Sequence, residues 1–456
     1  MTRLGIYVQV PFCQTKCTYC NFHTGVVSSA RFAPYVDAVC SEIAGHRAFY
    51  AGAGGRTAAV PQGLRPVQIA GSMSEPYEAQ DKLKIRPSSA VLPVEEKTIA
   101  TAFLNHAGVD SVYIGGGTPS LLDPADLRRI LEAIWGSFGG GGEAAIAARA
   151  SAGSSTAPAS ESGRYSCEVT LEADPETVTA AKAAAWVAAG INRVSFGVQS
   201  FSDEELKATG RMHRREDVYR AMPILRAAGI SNIGFDLIAG LPGQTTQSWR
   251  RSLEELAALS PEHVSVYLLE VDEGSRLGAE VLRGGVRYGA GSIPADDLMA
   301  EFYETACGFL GAAGYRHYEI SNWGKPGFES RHNLKYWQRE PYLGFGAGAH
   351  SFSGTERWAN AHDAAEYVAA ISAGRLPIEQ HEVLSTEGAL EEELFLGLRQ
   401  LEGIDLERIE REYGVVVSPR FDRLIGAGLV ERDGGVVRLS AQKLSVSNEV
   451  FVELIR

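Results

Sequence analysis

The sequence has few cysteines, no excess of positive charge and no long apolar run. Its 456 residues include only six cysteines, and 56 acidic side chains outnumber 43 basic ones, which gives a formal net charge of −13. Binding to nucleic acid needs clustered cations against the phosphates, so this composition argues against a nucleic-acid partner. The cysteines are too few and too unevenly spaced for a secreted disulfide framework, which indicates a reducing compartment.

The beginning of the sequence has no apolar segment of the length that a signal peptide or a membrane span requires. The first residues, "MTRLGIYVQVPFC", pass almost directly into a strand pattern. Because signal peptides and membrane spans both depend on such a segment, we expect a cytoplasmic protein. The sequence leaves open whether the protein associates with a membrane surface and whether it forms a homodimer.

Short apolar runs of β type alternate with helical segments through most of the chain. These runs are rich in Val, Ile, Tyr and Phe, as buried parallel strands are. One helix is predicted to begin with Asp123 as its N-cap and Pro124 in its first turn, and another to end at Gly229. Repeated β–α units predict an α/β fold, a partial parallel (β/α) barrel. The strand runs lie at 5–11, 111–117, 167–174, 193–200, 233–240 and 263–270.

The domain organisation follows from changes of composition along the chain. Two stretches at about 51–93 and 139–163 are rich in Gly, Ala, Ser and Pro, and we interpret them as insertions in the barrel. After about residue 375 the pattern becomes helical and then forms a ribbon around "RDGG". We therefore expect a barrel domain over 1–375 and a small helical, winged-helix-like domain over 376–456, which packs against the barrel rather than binding DNA.

Three of the six cysteines fall within eight positions. They are Cys13, Cys17 and Cys20, in "VPFCQTKCTYC" at residues 10–20. Thiolates bind zinc or iron–sulfur clusters, and His23 would complete a four-ligand zinc site. A 4Fe-4S cluster held by three cysteines instead leaves one iron open to the amino and carboxylate groups of a small molecule. The local spacing alone leaves both kinds of site open.

Glycines and polar side chains stand where successive predicted strands end. Parallel barrels form their sites at the carboxyl ends of the strands, so these residues are candidates for one ligand pocket. Glycines allow a close backbone approach to a ligand, and arginine can bind a carboxylate. Each signal is weak alone, but their order behind the cysteine loop favours the cluster over zinc. The candidates are Gly115, Gly116, Gly117, Glu172, Asp174, Gln199, Arg211 and Asp236.

The CxxxCxxC spacing after the first strand resembles that of radical S-adenosylmethionine (SAM) proteins. The resemblance implies that Cys13, Cys17 and Cys20 bind a 4Fe-4S cluster. It further implies that SAM occupies the open iron, where an electron from the cluster can break its carbon–sulfur bond to give a 5′-deoxyadenosyl radical. The sequence leaves open whether SAM is cleaved in this protein, and we assign no catalytic residue.

Within that superfamily, nearly the whole chain outside the two insertions resembles the oxygen-independent coproporphyrinogen III oxidase, or HemN-like, family. The segments that carry this resemblance are "GIYVQVPFCQTKCTYCNF", "YIGGGTPSLL", "RVSFGVQSF" and "GFDLIAGLPGQT". It implies a set of SAM contacts, some of which bind a second SAM in the true oxidases. The implied contacts are Tyr7, Tyr19, Gly116, Gly117, Thr118, Glu172, Gln199, Arg211 and Asp236.

Two departures point to one branch of the family. Phe22 stands where the true oxidases carry a further cysteine, and the stretch before Cys13 lacks their N-terminal extension. The segment "RHNLKYW" has the HNxxYW pattern and resembles the HemW branch, which implies a haem chaperone that passes haem to acceptor apoproteins such as respiratory enzymes. The alternative function is that of the oxidase itself, an enzyme of haem biosynthesis.

The HNxxYW segment supplies the candidate haem contacts. His332 offers an imidazole, a common axial ligand of haem iron. Tyr336 and Trp337 follow four and five residues later, so on a helix an aromatic ring would share the histidine's face and pack on a porphyrin. The alternative is an ordinary amphipathic turn with a hydrogen-bonded histidine. His350, His213 and His317 are further candidates for the iron ligand.

Overall fold

The protein is described by a computed structural model over residues 3–22, 24–50, 108–139 and 167–454. The insertions expected at about 51–93 and 139–163 lie outside these residues, apart from Gly139. Within the described ranges, no helix is both long and apolar enough to cross a membrane.

Six parallel strands, β1 to β6, are hydrogen-bonded in the order in which they occur in the chain. Every residue of β1 is buried, as expected of a strand covered on both faces. Each strand is followed by at least one helix, so the predicted partial (β/α) barrel is confirmed. The strands are β1 Leu4–Val10, β2 Val109–Gly116, β3 Glu168–Ala173, β4 Arg193–Gln199, β5 Asn232–Ala239 and β6 His263–Leu268.

The helix boundaries follow local capping signals. Asp123 accepts a hydrogen bond from the backbone N–H of Ala125 and Pro124 begins the helix, while Gly229 ends another helix at φ 99°. Both predicted boundaries are confirmed. The helices that follow the barrel strands are α1 Phe32–Tyr50, α2 Pro124–Phe138, α3 Ala180–Ala189, α4 Asp203–Ala208, α5 Arg215–Ala228, α6 Thr246–Leu259, α7 Arg276–Leu282 and α8 Asp296–Ala312.

Six further strands extend the sheet on both sides to twelve strands. β8 pairs antiparallel with β6 and carries β7, while β9 pairs parallel with β1 and leads to β10, β11 and β12. Two more helices belong to this part, α9 and α10. The bounds are β7 Arg316–Glu319, β8 Asn322–Gly324, α9 Arg331–Trp337, β9 Tyr342–Phe345, β10 His350–Phe352, β11 Glu356–Asn360, α10 Ala364–Ser372 and β12 Ile378–Val383.

The C-terminal part is a small helical unit with a three-stranded sheet in the order β13-β15-β14. The ribbon expected around "RDGG" is the antiparallel pair β14–β15, so the winged-helix-like character is confirmed. The domain boundary near 375 stays a prediction, and β12 beyond it still pairs with β11. The elements are α11 Thr386–Arg399, β13 Ile404–Asp405, α12 Leu406–Tyr413, α13 Asp422–Gly426, β14 Val430–Asp433, β15 Val436–Leu439 and α14 Ser447–Leu454.

Helix α9, which carries "RHNLKYW", lies against the amino ends of the first barrel strands. The backbone N–H of Arg331 donates to Glu168 at the start of β3, at 3.0 Å. The ammonium group of Lys335 forms an ion pair with Asp110 at 3.0 Å and donates to the carbonyl of Arg3. The helix therefore covers the end of the barrel that is opposite to the carboxyl ends of its strands.

A buried carboxylate, that of Glu42, joins α1 to the extended part of the sheet. It accepts hydrogen bonds from the hydroxyl of Tyr367 (2.6 Å), the amide of Asn360 (2.7 Å) and the backbone N–H of Gly346 (2.9 Å). Burial raises its pKa to about 7, although these three donors act in the opposite direction. One side chain thus fixes α1 against β9, β11 and α10.

Replacing Glu42 tests this connection. Glu42→Ala leaves three buried donors without their acceptor, so we expect the free energy of unfolding to fall by about 3 kcal/mol or more. Asp37→Ala on the same helix is the matched control, because it removes only an exposed ion pair with Arg129 and should cost less than about 1 kcal/mol. Urea unfolding at neutral pH measures both, and equal losses would contradict this role of Glu42.

Candidate functional site

The barrel encloses a cavity of about 410 Å³, and side chains from all six parallel strands line it. Since side chains of a strand alternate between its two faces, residues that line an interior are expected at every second position. On β4, for example, Arg193, Ser195, Gly197 and Gln199 line the cavity. This alternation shows that the sheet curves around one interior, with the loops at its carboxyl end forming the mouth.

The three clustered cysteines, Cys13, Cys17 and Cys20, all line this cavity. Backbone hydrogen bonds hold their loop, from Cys13 to the carbonyl of Gly25 (3.1 Å) and from Thr18 to the carbonyl of Thr209 (3.0 Å). Burial raises the pKa of Cys13 to about 11 and also raises that of Cys20. The thiols thus stand in a partly desolvated loop at the mouth of the cavity.

The three cysteine thiols are the donors on which both alternatives, a zinc site and a 4Fe-4S cluster, depend. His23, the fourth ligand of the zinc alternative, lies outside the described residues. Among the residues that are described, no three His, Cys, Asp or Glu side chains converge as a single metal ion requires. A 4Fe-4S cluster makes no such demand, because each cysteine binds a different iron. Three thiols around one mouth therefore fit a cluster with three cysteine ligands.

The glycine triplet at the end of β2 packs closely against other parts of its own chain. An added Cβ at Gly117 would stand 2.5 Å from the carbonyl oxygen of Phe12, and one at Gly116 would stand 2.5 Å from the side-chain amide of Gln9. Gly115 is crowded in the same way by Tyr113. These glycines therefore let the ends of β1 and β2 meet beside the cavity, and Gly116 and Gly117 are among the residues that line it.

Acidic residues at the end of β3 organise the neighbouring loops. Glu172 accepts hydrogen bonds from the hydroxyl of Tyr113 and the backbone N–H of Gly116, both at 2.9 Å, and burial raises its pKa to about 7. Asp174 accepts from the hydroxyl of Thr118 at 3.1 Å and forms an ion pair with Arg211. Arg211 thus pairs with a carboxylate of the same chain, that of Asp174.

Arg211 also connects this network to the cysteine loop. Its guanidinium donates to the thiol of Cys17 at 3.6 Å and to the carbonyl of Gly197 at 2.8 Å. The structure therefore brings Thr118, Asp174 and Arg211 together directly beside Cys17.

The remaining SAM candidates also line the cavity. Gln199 has a φ of 63°, which is unusual for a residue other than glycine, and its side-chain oxygen has no hydrogen-bond partner among the described residues. Tyr7 donates to Gln9 at 2.6 Å, and Tyr19 packs on the apolar cluster around Ile238. Asp236 accepts from the hydroxyl of Ser195 at 3.2 Å. The whole set expected from the sequence therefore shares one cavity.

Several polar residues of the interior were missed from the sequence. Arg193, Ser195, His263, Ser265 and Asn333 all line the cavity. The signal that would have found the strand residues is their spacing of two within otherwise apolar strands. A strand buried on both faces should be apolar throughout, so polar residues at alternate positions indicate a polar interior.

The haem candidates of α9 lie elsewhere. The ring of His332 is fully buried, and its nitrogens pair with the hydroxyls of Ser111 (3.0 Å) and Tyr336 (2.9 Å). Burial lowers its pKa to about 3. Trp337 is buried beneath the guanidinium of Arg399, 4.4 Å from the ring centroid. None of the three candidates is among the residues that line the cavity.

The other histidines differ in position. His350 lines the cavity. His213 is buried and pairs with the carbonyl of Val198 at 3.0 Å. His317 pairs with the carbonyl of Ile320 at 3.1 Å and stacks on Trp323. Of these three candidate iron ligands, His350 alone faces the cavity among the described residues.

Comparison of the sequence with known proteins shows the family to which the chain belongs. Residues 7–256, more than half of the chain, match the radical SAM superfamily, and residues 384–442 match the HemN C-terminal domain. The chain is 33% identical over 353 residues to "Heme chaperone HemW" of Lactococcus lactis, covering 76% of this chain and 84% of that protein. The chain belongs to the HemW family of radical SAM proteins.

Two further relatives extend the comparison. "Heme chaperone HemW" of Bacillus subtilis is 29% identical over 449 residues, covering 98% of this chain and 97% of that protein. The solved structure of coproporphyrinogen III oxidase (HemN) from Escherichia coli has a TM-score of 0.71 at 18% identity, over 99% of this chain and 90% of that one. The second likeness shows a shared fold. Membership of the radical SAM superfamily implies a 4Fe-4S cluster and SAM as cofactors.

Removing one cysteine tests the cluster. After anaerobic reconstitution with iron and sulfide, we expect Cys17→Ala to lose the brown iron–sulfur absorbance, because a cluster deprived of one of three protein ligands is poorly held. Cys307→Ala, which replaces a cysteine outside the cavity, should keep it. Surviving absorbance in Cys17→Ala, with stoichiometric zinc bound instead, would overturn the assignment.

Gly117 offers a test of the loop geometry. The Cβ added in Gly117→Ala overlaps the backbone of Phe12, so we expect about 1–3 kcal/mol of destabilisation and less iron per chain after reconstitution. Gly136→Ala, on a helix with open space around it, is the matched control and should be neutral or stabilising by up to about 1 kcal/mol. If Gly117→Ala retained full iron content and stability, the close approach would have no structural role.

Proposed function

We propose that this protein is a haem chaperone, which binds haem and transfers it to acceptor proteins. The observation that carries the proposal is the 33% identity to "Heme chaperone HemW" of Lactococcus lactis over 84% of that protein. The sequence departure at Phe22, where the oxidases carry a cysteine, supports a chaperone over coproporphyrinogen III oxidase. Acceptors among respiratory apoproteins belong to the same proposal.

We further propose how the cofactors are held. Cys13, Cys17 and Cys20 would bind the cluster, and the SAM contacts would be the cavity residues that the resemblance implies, from Tyr7 to Asp236. When bound, the cluster and SAM supply one-electron chemistry. The chain contributes the Arg211 guanidinium beside Cys17 and the carboxyl group of Glu172 in the wall. A small domain that begins near residue 376 completes the proposed organisation.

For haem, we propose His332 as the iron ligand, with Tyr336 and Trp337 as porphyrin contacts. The lowered pKa of His332 keeps the imidazole neutral, which is the form that ligates iron. Its two nitrogens already pair with Ser111 and Tyr336, so iron ligation requires α9 to separate from the amino end of the barrel. The ion pair of Lys335 with Asp110 would have to open in the same step.

One experiment tests the chaperone against the oxidase. The protein is reconstituted anaerobically with its cluster, titrated with haem while the Soret band is followed, and assayed with coproporphyrinogen III and SAM. We expect stoichiometric haem binding without turnover, and loss of about tenfold or more in haem affinity in His332→Ala, since the iron loses its protein ligand. Robust formation of protoporphyrinogen would contradict the chaperone function.

The control for His332→Ala is His317→Ala. It removes another histidine that is mostly buried and hydrogen-bonded, but one outside the HNxxYW segment and the cavity. Circular dichroism and the iron content show that both variants are folded. If His317→Ala weakened haem binding as much as His332→Ala, the loss would not be specific to the HNxxYW segment, and the assignment of His332 as the ligand would fail.

A further inference from the structure

We propose that the inner end of the barrel cavity binds the carboxylate group of a second small ligand through the guanidinium of Arg193. This site goes beyond the proposed haem chaperone function, because haem binding at α9 neither requires nor excludes it. The ligand class is a small monocarboxylate, bound next to SAM rather than in its place.

Among the residues that the structure describes, Arg193 is a buried cation with no carboxylate at ion-pair distance. Its side chain lines the cavity from the first residue of β4, and the residue is only 1% exposed. Among the described residues its one hydrogen bond is a long one of 3.4 Å, from Nη1 to the hydroxyl of Thr170, and no carboxylate lies within ion-pair distance. Its Nε has no partner at all among these residues. Burying an unpaired charge is costly, so such a group is a candidate for ligand binding.

The two carboxyl groups whose charges act on Arg193 already accept hydrogen bonds from other residues. Glu168 accepts a hydrogen bond from the backbone of Arg331 at 3.0 Å, and Asp236 accepts one from Ser195 at 3.2 Å. At longer range their charges help to raise the pKa of Arg193 in spite of its burial. The guanidinium therefore stays charged while its donors remain without a carboxylate.

Two neighbouring side chains also present polar atoms without partners to this region. His263 uses Nε2 in a 2.8 Å hydrogen bond with the hydroxyl of Tyr318, while its Nδ1 has no partner among the described residues. The side-chain oxygen of Asn333 is likewise without one. Both residues line the cavity together with Arg193. Of these groups, the Arg193 guanidinium from β4 and the His263 imidazole from β6 lie close together, each 3.4 Å from the position of a Cβ at Gly234, without satisfying each other.

The charge balance selects a carboxylate over a phosphate. A guanidinium offers a planar fork of donors that matches the two oxygens of a carboxylate. A phosphate carries close to two negative charges, which a single cation near the acidic residues Glu168, Glu172 and Asp236 would not balance. The cavity of about 410 Å³ must also hold SAM, which limits the second ligand to a few heavy atoms or to one arm of a larger molecule.

Two classes of molecule supply a carboxylate of this kind. One is a free small acid, such as an aliphatic or amino acid. The other is the propionate arm of a tetrapyrrole that reaches into the barrel. Both place one carboxylate on Arg193, so the experiment uses a probe from each source together with an analogue that lacks the negative charge.

The test is calorimetric titration of the full chain, reconstituted with its cluster and saturated with SAM. Propionate is compared with propionamide, L-methionine with L-methioninamide, and protoporphyrin IX with its dimethyl ester. We expect at least one acid to bind about tenfold or more tightly than its uncharged analogue, because a charge-assisted hydrogen bond is lost in the analogue. Arg193→Gln should abolish this preference, Arg193→Lys should retain part of it, and the exposed Arg250→Gln should leave it unchanged.

The outcomes separate this site from the proposed function. A preference for the small acids identifies a free acid as the ligand, and a preference for protoporphyrin IX alone identifies a propionate arm. Equal binding of acids and analogues, a preference that survives Arg193→Gln, or no binding of any acid would each overturn the proposal. Haem binding and its loss in His332→Ala are measured separately, so failure of either proposal leaves the other intact.

Discussion

The close contact between the ends of β1 and β2 is the constraint on which the rest of the site depends. The backbone N–H groups of Gly117 and Thr118 donate to the carbonyls of Val10 and Phe12, at 2.8 and 2.7 Å. A side chain at position 117 would prevent this approach. The cysteine loop begins immediately after Phe12, so the contact fixes where the loop leaves the barrel. From Thr118 the network continues through Asp174 to Arg211 and returns to the cysteine loop at Cys17.

The two motifs that distinguish this chain lie at opposite ends of the same barrel. The cysteine loop is at the carboxyl ends of the strands, whereas "RHNLKYW" covers the amino ends through Lys335 and Asp110. The rings of Tyr7 and Tyr113 lie between them, with centroids 6.3 and 5.5 Å from that of His332. A movement of α9 would therefore be felt by cavity residues, so the proposed haem site is coupled to the proposed SAM site without direct contact between the two ligands.

The strands, two helix boundaries and the shared pocket could be predicted from the sequence because their signals are local or follow from chain order. The N-cap at Asp123 needs only its own helix, and carboxyl ends of parallel strands meet by construction. The position of α9 could not be predicted, since it depends on contacts such as that of Lys335 with Asp110, far apart in sequence. For the same reason the close approach of Phe12 to Gly117 could not be predicted, because the two residues are more than a hundred positions apart in the sequence.

The treatment of buried arginines elsewhere in the protein strengthens the case that Arg193 is there for a ligand. Three arginines of the described residues are buried: Arg193, Arg357 and Arg399. Arg357 donates to both oxygens of Glu392, at 3.0 and 2.9 Å, and thereby joins β11 to α11. Arg399 pairs with Glu319 at 3.6 Å.

Where a buried guanidinium serves the fold, the chain thus supplies a carboxylate beside it, as desolvation of the charge requires. At Arg193 it supplies none within that distance, although Glu168 and Asp236 are close enough to keep the group charged. Carboxyl groups at this distance stabilise the charge of Arg193 but leave its donors available to a ligand. A guanidinium in an ion pair would instead have to break that pair before it could bind a ligand.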